Sequence, residues 1–218
     1  MIVAIDGPSA SGKSTIGRLL ARHLELRLVD TGLMYRAVTV LAQDAGIDPG
    51  DADALGALAE GADIEVNTTT EEGSHWEIKA NREDLTSRVF DPALAPILTR
   101  VSQAERVRTA LVKRQRRYAD GGVVMVGRDI GTVVFPNADL KLFITASDDQ
   151  RRRRRARQRR QSDSGLMKGE ISDRDAADQG RALSPLRRAE DAFTIDTDDR
   201  SPDQVFTEVL GLIPTGVG

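Results

Sequence analysis

Residues 7–15 read Gly7-Pro8-Ser9-Ala10-Ser11-Gly12-Lys13-Ser14-Thr15, and the rest of the chain is placed relative to them. The stretch has the spacing G-x-x-x-x-G-K-[ST]. It lies directly after the apolar run Ile2-Val3-Ala4-Ile5 and opens the segment Ser14–Leu24, in which Ile16, Leu19, Leu20 and Leu24 recur at helical spacing. Strand, glycine-rich turn and helix in that order make a phosphate cradle. Gly7 and Gly12 let backbone N–H groups close around a phosphate, and the helix N-terminus adds partial positive charge. Lys13 is placed to reach the outer phosphates of ATP, and the Ser14 hydroxyl to ligate an accompanying Mg²⁺. A chance match in an ordinary strand-to-helix turn would lack this agreement of spacing, Lys-Ser pair and flanking elements. The motif is shared by kinases, GTPases and motors, so the acceptor must be read elsewhere.

Outward from the loop, Arg27–Asp30 reads as a second strand, followed by a helix capped by Thr31 and closed by Gly46. Ala52–Gly61 is helical in pattern. Ile64–Val66 and Trp76–Ile78 alternate like strands about the polar turn Asn67–Ser74, which predicts a small antiparallel insert. One long basic helix is expected over Pro96–Ala119, then a buried strand at Val123–Val126 with Gly127-Arg128-Asp129 at its carboxyl end. A strand within Ala138–Ala146, an arginine-rich helix, and a last strand and helix at Ala192–Asp196 and Pro202–Leu212 complete the pattern. Strands alternating with helices imply a doubly wound parallel α/β sheet, with ligands beyond the carboxyl ends of its strands.

The 218 residues, 39% apolar, fit one domain. We expect a core at about 1–30 and 96–218, an acceptor-binding insert at about 31–95 and a lid at about 151–175. No apolar run approaches the roughly 20 residues of a membrane span, and no signal-peptide pattern opens the chain, so a soluble cytoplasmic protein is expected. With no cysteine and two histidines, sulfur-based zinc sites are excluded and any metal should be hard and oxygen-bound. A net charge of −3 argues against a general nucleic-acid binder. Trp76 is expected to pack in the insert and Tyr118 to end the basic helix, and His23 and His75 show no partner spacing that suggests catalysis.

Three features point to a small anionic acceptor. Asp30-Thr31-Gly32-Leu33-Met34-Tyr35-Arg36 opens a helix beside the phosphate loop, where Arg36 can bind a phosphate bidentately or stand solvated. Gly127-Arg128-Asp129-Ile130-Gly131-Thr132 ends an apolar strand with a charged pair flanked by glycines. Arg174, Asp178 and Arg181, four and three residues apart, share one helix face as a binding set or as a simple ion-pair ladder.

Taken together and in order, Gly7–Ser14, Asp30–Arg36, Gly127–Pro136 and Arg174–Arg181 resemble the bacterial cytidylate kinases, a family of P-loop nucleoside monophosphate kinases. The likeness runs from Ile2 to about Leu212. It implies transfer of the ATP γ-phosphoryl group to CMP or dCMP. By the same resemblance Arg36, Arg128 and Arg181 would hold the acceptor phosphate, Asp178 with Arg174 would meet the ribose, and Asp129 with Arg108 would read the cytosine edge. Thr31 and Tyr35 would line the same site. A family serine that contacts the base falls at Thr99, with Ser102 nearby. Cytosine presents an amine donor beside ring acceptors, which a carboxylate and an arginine complement.

Eight arginines lie among residues 151–160. They follow a strand and a Ser147-Asp148-Asp149 cap, so they should form a helix on which Arg151, Arg154 and Arg155 share a face. In the resembling kinases this helix leads into the lid, which assigns these three to donor phosphates. Lys13, Arg128, Arg154 and Arg181 are then the expected catalytic set. The other readings are a related kinase acting on UMP, AMP or shikimate, and an ATP-dependent RNA-binding module built on Arg151–Arg160. We expect the kinase reading, with ATP and CMP or dCMP as partners, no nucleic acid or membrane, and a monomer.

Overall fold

The computed structural model describes residues 1–68, 76–161 and 186–214. A five-stranded parallel sheet forms its centre. The strands are β1 (Ile2–Asp6), β2 (Arg27–Asp30), β6 (Val123–Val126), β7 (Leu140–Thr145) and β8 (Phe193–Asp196), in the spatial order β2-β6-β1-β7-β8. β1 lies between β6 and β7, in register Ile2 with Val123 and Val3 with Leu140. The chain leaves β1 for the far edge at β2 and only later returns to fill the gap with β6. The phosphate loop therefore opens at the point where the winding reverses, where α/β sheets leave a crevice.

Both faces of the sheet are covered, which is why its strands read as unbroken apolar runs. On one face Val3, Ile5, Leu28 and Val124 pack with Ile16 and Leu20 of helix α1 (Lys13–His23) and Val205 and Val209 of α7 (Pro202–Leu210). On the other, Ala4, Val29, Val123 and Met125 meet α2 (Thr31–Asp44), and this second core runs on into α3 (Ala52–Gly61). The insert is a three-stranded antiparallel sheet, β3 (Ile64–Thr68), β4 (Trp76–Ala80) and the short β5 (Glu83–Asp84), whose Val66, Ile78 and Ala80 are buried in that same core. Val66 and Ile78 are paired across the strands.

Two local expectations are corrected. The Asp30 carboxylate, not Thr31, caps α2, accepting from the Gly32 amide at 3.0 Å. The Thr31 hydroxyl reaches across to β6 instead and donates to the Val126 carbonyl at 3.0 Å. The basic segment is not one helix. It breaks at Ala104, whose backbone is extended, into α4 (Ala95–Gln103) and α5 (Glu105–Arg116), with a single 3₁₀ turn over Arg117–Ala119. Periodicity alone carries straight across a one-residue break of this kind. The arginine helix α6 (Asp148–Gln161) starts as expected, with the Ser147 hydroxyl accepting from the Gln150 amide at 3.3 Å. Arg174, Asp178 and Arg181, and the part of the lid beyond Gln161, lie outside the described residues.

Candidate active site

Gly7 leaves β1 with φ +147°, and a Cβ there would lie 2.0 Å from the Ile144 carbonyl oxygen of β7. Only glycine allows the backbone to pass so close to the neighbouring strand. Gly12 follows in a left-handed conformation and α1 begins at Lys13, so the amides of the turn face one cradle at a helix N-terminus. Lys13 is buried, with Nζ donating to the Pro8 carbonyl at 2.6 Å. The Ser14 hydroxyl donates to Asp30 Oδ2 at 3.1 Å. A hydroxyl and a carboxylate are hard oxygen donors, so the pair fits a hard divalent cation. Asp30 had entered the sequence reading only as the start of a motif, because its closeness to Ser14 depends on β2 ending beside α1.

A cleft opens on one side of this loop. Its walls include Lys13 and Ser14 from the loop, Arg36 and Tyr35 from α2, Arg108 from α5, and Arg128 with Asp129 at the end of β6. Residues separated by more than a hundred positions therefore face one space. The Arg36 guanidinium donates to the Val89 carbonyl at 2.7 Å and lies over the Phe90 ring at 5.5 Å, which fixes its plane on the wall. Thr31 also lines the cleft. Both candidate hydroxyls turn back on their own helix, Thr99 donating to the Ala95 carbonyl at 3.2 Å and Ser102 to the Thr99 carbonyl at 2.9 Å, but of the two only Ser102 is buried and lines the cleft.

Arg108 and Asp129 form a buried ion pair, Nη2 to Oδ2 at 2.5 Å, with side chains 8% and 11% exposed. Two charges buried together need further partners to offset their desolvation, and the open side of this pair faces the cleft. Gly127, which precedes the Arg128-Asp129 pair, has no room for a Cβ: it would meet Ile130 Cδ1 at 2.6 Å and Thr31 Oγ1 at 2.7 Å. After Asp129 the chain makes one wide turn over Ile130–Val134, with Phe135 N donating to Ile130 O at 2.7 Å. Such i to i+5 turns recur at functional sites. Asp6 accepts from the Ile130 and Gly131 amides, each at 2.8 Å. Burial pushes its carboxyl up to about 6, against the pull of those two amides.

A second cleft lies across the loop. Ala10, Gly12 and Thr15 form its floor, Arg154 and Arg157 one wall, and Thr197 through Pro202 the other. Arg154 donates to the Ser11 carbonyl at 3.2 Å, to the Thr197 hydroxyl at 2.8 Å and to the Thr197 carbonyl at 2.7 Å. Thr197 is itself buried, its hydroxyl within reach of the Ser11 and Thr145 carbonyls at 2.9 and 3.1 Å. Arg151 is buried beside the Ser9 carbonyl at 3.4 Å and pairs with Asp148. The arginine helix therefore approaches the phosphate loop from behind through Arg151 and Arg154, while the Arg155 side chain falls outside the described part. Nothing in the sequence marked Thr197, which acts through contacts far away along the chain.

Residues 3–215 match the family model of cytidylate kinase. The cytidylate kinase of Syntrophotalea carbinolica is 40% identical over 98% of this chain and 92% of its own length. That of Exiguobacterium sibiricum is 41% identical over 96% of this chain and 95% of its own. A bifunctional pantoate ligase/cytidylate kinase of a Synechococcus species is 41% identical over 97% of this chain, which spans only 40% of that longer protein. Among the described residues no helix is long and apolar enough to cross a membrane.

Proposed function

The chain belongs to the cytidylate kinase family, and from that premise we propose how its two clefts divide the transfer of the ATP γ-phosphoryl group to CMP. The observation that carries the reading is the phosphate loop standing between them. Lys13 and Ser14 open onto the cleft that holds Arg36, Arg108, Arg128 and Asp129, and the outer side of the same loop floors the other.

ATP takes the second cleft, its base between Arg157 and the Thr197–Pro202 segment and its phosphates over Gly7–Thr15. CMP takes the first. Arg36 and Arg128 meet its phosphate, with Arg181 as a third, while Asp129 accepts from the cytosine amine and Arg108 donates to the ring acceptors. Asp178 and Arg174 are assigned to the ribose, and Tyr35 and Thr31 to the wall. Ser102, facing the cleft, is the better placed of the two hydroxyls to meet the base.

An acceptor phosphate oxygen is already largely anionic near neutral pH, with a second pKa of about 6, so no general base is needed. Catalysis then consists of holding donor and acceptor in line and stabilising the charge that spreads over the moving group. Lys13 and Arg128 line the cleft where that charge develops. Arg154, bound to Ser11 and Thr197, fixes the loop from behind and approaches the phosphates from the α6 side. Mg²⁺ fits the Ser14 and Asp30 oxygens and, when bound, neutralises charge on the donor phosphates.

We further assign dCMP as an alternative acceptor, a cytoplasmic location and a monomeric state. The test is a panel of CMP, dCMP, UMP, AMP and shikimate in a coupled ADP-release assay. CMP and dCMP should lead. Preference for another acceptor would overturn the assignment, and steeply salt-dependent RNA binding unaffected by CMP would favour the RNA-binding reading instead.

A further inference from the structure

We infer that Asp6 is a positioning residue that sets the Arg128–Asp129 segment, and with it the choice of acceptor base, from the first residue before the phosphate loop. The inference rests on the reading of the first cleft as the CMP site.

β1 and β6 are held together by their ladder as far as the Gly127 amide, which donates to the Ile5 carbonyl at 2.9 Å. Beyond that point the two chains diverge. β1 turns at Gly7 into the phosphate loop, and β6 runs into Arg128 and Asp129, which pair with no strand among the described residues. The Asp6 side chain bridges the gap. Its two oxygens accept from the Ile130 and Gly131 amides at 2.8 Å each, and the carboxyl is 4% exposed. These are the first two amides after Asp129, and they open the wide turn over Ile130–Val134. One carboxylate thus fixes the exit of the acceptor-reading segment against the entry of the donor-binding loop.

Neither Asp6 nor the turn lines the CMP cleft, so Asp6 does not touch the acceptor; it acts through the two amides it holds, beside the charges of Lys13 and Asp129. A buried carboxylate is costly unless its hydrogen bonds require it. A simple core position at the end of β1 would be filled by another apolar residue, as Val3 and Ile5 are on the same strand. Bonds from amides to a charged acceptor are about twice as strong as neutral ones and sharply directional, which suits a hinge point that must not drift. A drift of about an ångström in Asp129 would separate it from the cytosine amine while leaving the phosphate loop intact.

The test compares Asp6→Asn with the parent for KM of ATP, KM of CMP and the CMP-to-UMP ratio of kcat/KM, with melting temperature measured alongside. Asparagine keeps the shape and one acceptor but turns an amine toward the other amide. We expect kcat/KM for CMP to fall about tenfold to a hundredfold and the CMP-to-UMP ratio to shrink with it, while KM for ATP stays within about twofold. Equal losses for ATP and CMP, or an unchanged CMP-to-UMP ratio, would overturn the inference. If Asp6→Asn does not fold, Gly131→Ala reports on the same contact, because its methyl would lie 3.4 Å from Asp6 Oδ2 and 3.2 Å from Lys141 Cδ. It should give the same split at smaller amplitude, and equal losses would again overturn it. Asp129→Asn is measured in parallel. If that variant abolishes the CMP preference and Asp6→Asn does not, only the role of Asp6 fails. If Asp129→Asn leaves the preference intact, the cleft reading fails and takes this inference with it.

Discussion

Replacing Asp129 by asparagine separates the two jobs the residue holds. The side chain keeps its volume and its contact with Arg108, but the pair loses its negative member while Arg108 remains 7% exposed. An uncompensated buried charge costs about 3 to 5 kcal/mol, and the retained neutral hydrogen bond puts Asp129→Asn near the lower end. For a domain of this size that is a melting temperature lower by about 6 to 12 °C. At the base, the cytosine amine loses its acceptor, worth about 1 to 3 kcal/mol, so kcat/KM for CMP falls about 5- to 150-fold. Uracil, with a carbonyl in place of that amine, gains a donor from the new side chain. The CMP-to-UMP ratio should therefore drop at least about 25-fold. Adding Arg108→Met removes the stranded charge and should recover most of the melting temperature without restoring selectivity. Melting curves and steady-state kinetics with both acceptors read the two effects separately. An Asp129→Asn enzyme that still prefers CMP as strongly as the parent would refute the assignment of this carboxylate to the base.

Lys13→Ala should lower turnover by about a hundredfold to a thousandfold in the coupled assay while the protein still folds, since the charge that would meet the transferring group is lost. Retained turnover would contradict the phosphate-loop assignment. Thr197→Val keeps shape but removes the hydroxyl that meets Arg154 and the Ser11 carbonyl; KM for ATP should rise several-fold while KM for CMP stays within about twofold, and equal effects would contradict a donor-side role. Asp6 predicts a pH signature, since burial raises its carboxyl from 3.8 to about 6, with Asp129 pushing the same way and Lys13 opposing. A folded value above the unfolded one gives stability that is full below about pH 4 and is lost as pH rises through 6, a span of about 3 kcal/mol. The urea midpoint of the parent relative to Asp6→Asn should therefore fall between pH 4 and 7, and a constant difference would contradict the raised value.

The strand, turn and helix around Gly7–Thr15, the strand ending in Gly127-Arg128-Asp129 and the alternation of the sheet were legible because each is local: a spacing, an apolar run or a turn carries the signal within ten residues. The insert was legible for the same reason, through the alternation at Ile64–Val66 and Trp76–Ile78. What escaped depends on the fold bringing distant residues together. Asp6 looks like the tail of a strand until its partners at Ile130 and Gly131 are seen, and Thr197 is an unremarked residue after β8 until Ser11 and Arg154 surround it. Which of Thr99 and Ser102 lines the first cleft was undecided, because helix register fixes that choice. The extended residue Ala104 ends α4 with Ser102 turned inward. Helical spacing put Arg151, Arg154 and Arg155 on one face, but the contacts of Arg151 and Arg154 with the carbonyls of Ser9 and Ser11, and the place of Arg157 on the wall of the second cleft, follow from where α6 meets the loop.

The central claim is that one phosphoryl group passes from ATP on one side of the loop to CMP on the other. Mixing enzyme with ATP labelled in the γ-phosphate and with CMP, quenching within a single turnover and separating the products tests it most directly. The label should appear in CDP at a rate that depends on CMP. Label released as inorganic phosphate at the same rate with and without CMP would contradict the account.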